Sequence, residues 1–559
     1  MASLPPLGPE SWDLAKARHL LNRAGFGVPH ALAVRLSEMT PDAAVDYLLN
    51  YESIPFEFPE PDFLVPPMSN KERAEARKAL GEEERRELQQ KMQREEREAV
   101  QKLRGWWLQR MRTSPRPLEE KMALMWHGHF ATSAQKVKAS EVNYALYEVF
   151  RTHATGNFKR LTTEVGQSRC MLRYLDNDRS TKKQPNENWA RELMELFTLG
   201  QGQYTEDDIK NSARAFTGWS TDGVSFAFNI TNHDPGAKTF MGRTGEFDGW
   251  DIINIIFEQP ALGTFICGKL YKFFAAEEVD PAVVETLAET FRANNFELKP
   301  VLRQLFLSQA FYSPRVMGTQ VKSPAQLVVK LTHDLSLDSV PPTAMAQATA
   351  TLGQNILHPP NVKGWDGNRA WINANTLLLR YNLPATLASA ATKGHNQLMM
   401  GGGESTMMLA GEGDPEAMSP AAMAETPKPD PRAAIREQVR EKLKSLPKEE
   451  RQAKVKILRE GKPAERKALL QELGIDAPPA FDPLDDMFEG LNFSTATECV
   501  TVVAGKLLDA PLSPEQQSTL VGVLGVAAPD SPFAPDNLTD DKRKELLHLI
   551  TSMAEYQLC

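Results

Sequence analysis

The sequence predicts a mainly α fold: a large multi-helix bundle with few short strands, a disordered linker and a charged helical insertion. Three observations predict it. Apolar residues recur three or four apart along most of the chain. Strand-like text is sparse, with GVSFAFNI, Gly223 to Ile230, as the best candidate for a hairpin arm. At Gly401 the composition shifts to GGGESTMMLAGEGDPEAMSPAAMAETPKPDP, low in large apolar residues and rich in Gly, Pro, Ala and Met.

The elements follow in order. LAKARHLLNRAG is an amphipathic helix with a glycine stop, and TPDAAVDYLLNY starts with a Thr cap and Pro in its first turn. After a Pro- and Phe-rich loop, Asn70 to Met111 reads as one long polar helix with apolar positions Leu88, Met92, Val100, Leu103, Trp107 and Met111. Its first half is charged nearly all round, which suits a solvated or loosely paired helix. Pro117 to about Phe311 looks like the dense core, and Lys322 to Leu387 resumes the helical pattern around the loop GQNILHPPNVKGWDGNRAWINANT. The predicted organisation is a helical segment at 1–69, the polar helix at 70–116, a core at 117–390, the linker at 400–431, a charged helical insertion at 432–475, and a segment at 481–559 docking back on the core.

Length and composition narrow the class. The chain has 559 residues, enough for two to four lobes, and its 41% hydrophobic and 25% charged content is that of a globular protein. A net charge of -9 with interleaved acidic and basic residues gives no reason to expect nucleic acid as a partner. No run approaches a membrane span, and the N-terminus lacks a basic region followed by an apolar one, so the expected compartment is cytoplasmic, with export beside a partner as the exception. Cys170, Cys267, Cys499 and Cys559 are isolated and read as buried or incidental thiols. GxSxG, a P-loop, GxGxxG after a strand, HExxH and a catalytic-type Cys context are absent, which removes the common hydrolase, nucleotide and zinc-protease routes.

Four segments hold residue types that carry chemistry. In QPNENWARELMELFTLGQGQYTEDDIKNSARAFTGW, a helix from about Asn186 to Leu199 stops at Gly200 and a second begins at Thr205, with Asp208 completing an acidic capping box. Glu192 and Glu195 fall one turn apart on one face, with Arg191 and Arg214 near enough to neutralise them. The pair can ligate a metal or divide acid and base roles, and it can equally be an ion-pair brace. In Trp126-His127-Gly128-His129-Phe130, the two histidines are candidates for catalysis, for metal ligation, or for capping and core hydrogen bonds. His233, Asp234 and Lys238 sit in one polar, glycine-rich loop, as a binding loop or an Asx-turn. HPPNVKGWDGNRAW offers Trp365, Arg369 and Trp371 as a ring-stacking platform or a hydrophobic plug.

Taken in order, RHLLNRAGFG, KMALMWHGHF, NENWARELMELFTLGQGQYTEDDI, ARAFTGW, HDPGAKTFMG, LGQNILHPPNVKGWDGNRAWI and SMAEYQLC resemble the bacterial family called domain of unknown function 1800. The resemblance covers about residues 12 to 390 and the C-terminal segment, and marks 401 to 474 as an insertion. It implies a large, mostly helical protein without an established activity, encoded near a sulfatase-like or alkaline-phosphatase-like partner. The leading expectation is a polar pocket, binding or hydrolytic, lined by the His127/His129, Glu192/Glu195 and His233 segments, with Arg191 or Lys238 holding an anionic group. Its rivals are a non-enzymatic scaffold for that partner and a metal or haem protein ligated by His127 or His129. The sequence leaves metal and cofactor unknown.

Overall fold

In the computed structural model the described residues are 4–27, 30–400, 491–509, 511–526 and 530–559, with isolated positions at 442, 450, 451, 454, 469, 472 and 488. The predicted linker and nearly all of the charged insertion lie outside them. Among the described residues the chain is mainly helical, with two two-stranded antiparallel sheets as its only strands.

Local chemistry starts the helices where the sequence indicates. The Asp13 carboxylate accepts from the Lys16 amide ahead of helix Leu14–Ala24, and Thr40 does the same for the Ala43 amide ahead of Pro41–Leu49. The predicted single helix from Asn70 is two, Asn70–Ala79 and Glu82–Thr113. Leu80 is extended, and the Gly81 amide donates 2.8 Å to Glu84 Oε2, so a new helix start interrupts the pattern. Most residues from 71 to 98 are exposed, whereas Val100, Leu103, Trp107, Leu108 and Met111 are buried. Gly105 lets this half approach helix Pro342–Thr351: a Cβ there would lie 2.8 Å from the Pro342 carbonyl carbon.

Helix Pro117–His129 runs through the interior, with every residue but Gly128 buried. It carries two acids inward. Glu120 is fully buried, accepting from Arg110 Nε at 2.5 Å, Trp107 Nε1 at 3.0 Å and the Tyr147 hydroxyl at 3.1 Å. Glu119 faces Arg110, Arg116 and Arg151 within ion-pair distance. Such a network keeps buried carboxylates compensated.

The expected hairpin arm forms, with Phe226–Phe228 pairing antiparallel to Trp219–Thr221. A second hairpin, Lys238–Phe240 with Arg243–Gly245, follows in the HDPGAKTFMG motif. One continuous apolar cluster extends from Leu7 to Tyr556, including Leu546, Leu547 and Ile550 of the final long helix, Asp540–Ser552.

The last residues are stitched into this cluster. Leu558 bridges Val321 in antiparallel fashion, and the Cys559 amide donates to the Gln320 carbonyl at 2.9 Å. Two almost fully buried cations hold the segment: Lys322 donates to the Tyr556 and Leu558 carbonyls, and Arg380 to the Gln557 side chain at 3.2 Å. All four cysteines are buried and unpaired.

Candidate functional site

The expected helix from Asn186 to Leu199 changes register part-way. Glu187–Glu192 is α-helical and Leu193–Thr198 is a π-helical turn. The i→i+5 pattern rotates the last carbonyls of the element, and π turns of this kind recur at functional positions. Here the Leu196 carbonyl accepts from Lys269 Nζ at 2.8 Å and the Phe197 carbonyl from His129 Nε2 at 3.0 Å.

The arginines do not neutralise the carboxylates as the spacing suggests. Arg191 pairs with Glu206 at 2.9 Å and with Glu187 at 3.3 Å, and Arg214 pairs with Asp234 at 2.7 Å. Helix proximity puts Arg191 beside Glu187 one turn earlier, and the following helix presents Glu206 across from it. Glu192 is therefore half-buried with no hydrogen-bond partner among the described residues; burial first, then Glu195, raises its pKa, with Arg191 opposing. Glu195 accepts from Tyr204 at 3.0 Å and Gln201 at 2.7 Å.

Both histidines of the Trp126 motif are buried and helical. His127 Nε2 accepts from the Leu357 amide at 3.1 Å, and its ring sits among Trp107, Phe150 and Trp365. Burial alone lowers its pKa to about 3, so the ring is neutral at pH 7. His129 uses both nitrogens: Nε2 on the Phe197 carbonyl, Nδ1 facing Lys269 Nζ at 3.1 Å. Burial, then the Lys269 charge, drives its pKa well down. A metal at His129 would have to displace one of these bonds. Among the described residues no group of three or more His, Cys, Asp or Glu is arranged to hold a metal ion.

Lys269 is the residue the sequence reading missed. It sits in helix Pro260–Phe274, half-buried, its ammonium 4.7 Å from the centre of the Phe265 ring. Burial first, then Lys272 and Lys363, lowers its pKa to about 8. The loop that brings Lys363 is pinned to the end of helix Pro117–His129. Gly364 has φ 83°, and a Cβ on it would fall 2.0 Å from the Gly128 carbonyl oxygen. The same seam holds a Ser133 to His358 hydrogen bond of 2.6 Å.

The loop residues of the third segment are bound to one another. His233 is buried, with Nδ1 3.0 Å from the Thr217 carbonyl. Burial pushes the Asp234 carboxyl up, but the Arg214 guanidinium and the Gly236 amide outweigh it and hold the pKa below the usual range. Lys238 is buried and donates to the Asp234 and Gly236 carbonyls at 2.6 and 2.9 Å. In the fourth segment Trp371 is buried, Trp365 is half-buried against His127, and Arg369 is exposed beside Glu277.

No hydrogen bond, ion pair or ring contact among the described residues joins the His127/His129, Glu192/Glu195 and His233 side chains directly. His129 reaches the helix pair through the π-turn Phe197 carbonyl and the Phe197 ring, 5.9 Å away between centroids. What meets at the seam is the helix end, the π turn, Lys269 and the 355–371 loop, and each comes from a different stretch of the sequence. A family model described as "Protein of unknown function (DUF1800)" matches residues 19–558. The chain belongs to the DUF1800 family. No curated protein and no solved structure matches it. The DUF1800 match spans every segment that meets at the seam. No helix among the described residues is long and apolar enough to cross a membrane.

Proposed function

We propose that the seam binds an anionic group, with Lys269 as its anchor, and that this binding is the core of a ligand-recognising or hydrolytic role. One observation carries the reading. Lys269 is a half-buried lysine with no carboxylate in ion-pair distance among the described residues, and Lys272 and Lys363 add positive charge beside it. Buried charges are normally compensated. An ammonium has three donors, of which His129 and the Leu196 carbonyl take two, so one remains for a ligand oxygen. An anion would supply the missing counter-charge and favour the protonated amine.

The test is calorimetric titration of the full chain with inorganic phosphate and with sulfate. Saturable binding is expected at pH 6 to 7, weakening as pH rises through about 8, and at least tenfold weaker in Lys269→Met. Equal binding by Lys269→Met, or no saturable binding by the wild type, would overturn it.

A further inference from the structure

A second site lies away from that seam. A cavity of about 240 Å³ opens where the Phe26-Gly27 turn meets the connection between helices Glu82–Thr113 and Pro117–His129. Its walls are mostly apolar, from Phe26, Leu32, Met111 and Pro117, and the polar side chains of Arg112, Thr113, Ser114 and His333 also line it. The Thr113 hydroxyl donates to the Gln109 carbonyl at 3.0 Å and Ser114 Oγ accepts from the Arg116 amide at 3.1 Å. Gly27 lines it with φ 80°, and a Cβ there would meet the Lys330 stem at 2.8 Å.

Arg112 and His333, by contrast, are incompletely used. Arg112 is 7% exposed and donates to the Leu337 carbonyl at 3.0 Å and the Asp338 carbonyl at 3.1 Å, while its Nε–H is buried without a partner. The Asp338 carboxylate approaches the same guanidinium only to 3.5 Å and is itself exposed. The His333 ring makes no hydrogen bond among the described residues. Burial lowers its pKa to about 4, so at pH 7 it is a neutral ring with one donor and one acceptor. An unpaired buried N–H is costly, and natural interiors satisfy it with protein, water or ligand.

We propose that this cavity is a binding site for a small monocarboxylic acid, its apolar body against Phe26, Leu32 and Met111 and its carboxylate on Arg112 and His333. The size fits a ligand somewhat smaller than the drug-sized molecules that fill pockets of roughly 300–1,000 Å³. A single guanidinium matches a single planar carboxylate, and the apolar walls disfavour polyanions.

The test uses the full chain and four probes: hexanoate and benzoate, and their neutral counterparts hexanol and benzamide. Saturable binding of at least one acid is expected by calorimetry, tenfold or more tighter than its neutral counterpart. Arg112→Lys should weaken acid binding about tenfold. Leu32→Trp, which fills the cavity and leaves Arg112 in place, should abolish it, with circular dichroism and thermal unfolding checking each fold. Lys269→Met should leave it unchanged, which separates this site from the seam. Absence of saturable acid binding by the wild type overturns the proposal, as does a neutral probe binding as tightly as its acid. If either variant fails to fold, the wild-type comparison of acids with neutral probes still decides.

Discussion

Lys269 Nζ lies 3.1 Å from Nδ1 of His129, an amine and an imidazole in hydrogen-bond contact, both of which burial pushes toward their uncharged forms. The contact ties helix Pro260–Phe274 to helix Pro117–His129, and the same amine caps the π turn through the Leu196 carbonyl.

Lys269→Met should change the pH dependence of stability. The folded pKa of about 8 lies below the ordinary 10.5, so the unfolded chain holds the extra proton between them. Stability contributed at Lys269 therefore rises with pH across that window. Compared with Lys269→Met, the wild type should gain about 2 to 3 kcal/mol between pH 7 and 10.5. Urea unfolding of both proteins at the two pH values measures it, and parallel curves would refute it.

His127→Phe should lose about 1–3 kcal/mol at pH 7, because the Leu357 amide is left without its acceptor. The cost should shrink in acid. With a folded pKa of about 3 against 6.5, the wild type's His127 contribution is complete above about pH 6.5 and is lost as pH falls toward 3. The gap between the wild-type and His127→Phe denaturant midpoints seen at pH 7 should narrow at pH 4.5.

Gly364→Ala should be among the most damaging small substitutions. The new methyl would sit 2.0 Å from the Gly128 carbonyl at a φ of 83°, so loop and helix must part. A loss on the order of 3 kcal/mol is expected. Gly367→Ala shares a positive φ but meets nothing within 4 Å, and calorimetric melting should show a smaller loss there.

Glu120→Ala should cost about 3–5 kcal/mol by leaving Arg110 buried and short of its counter-charge. Glu120→Gln keeps a hydrogen-bonding oxygen for Trp107 and Tyr147 and should fall between the wild type and Glu120→Ala in thermal unfolding.

Much of the fold was legible because its signals are local. The Thr205 and Asp208 capping box, the Thr40 cap and the Phe226–Phe228 strand occur where composition and period place them. The break at Leu80 had a local signal as well, Gly81 followed by three glutamates, but the surrounding helical period masked it. The π turn had none, since a change from i→i+4 to i→i+5 leaves the apolar pattern of LMELFT nearly intact. Site chemistry was less legible because spacing reports proximity along a helix and not which arginine a carboxylate meets. Lys269 illustrates the limit: within GTFICGKLYKFF it reads as an ordinary cation, and only its distant neighbours Leu196 and His129 make it unusual.

The stitching of Leu558 against Val321 has a consequence for the order of assembly. Lys322 cannot satisfy its ammonium on the Tyr556 and Leu558 carbonyls until some 236 further residues have left the ribosome. Until then the Lys322 ammonium lacks these two acceptors and the Gln320 carbonyl lacks the Cys559 amide. Contacts of such sequence separation form late and slowly. Pairing of the 320–322 segment with residues 557–559 is thus a late event in the assembly of the native state.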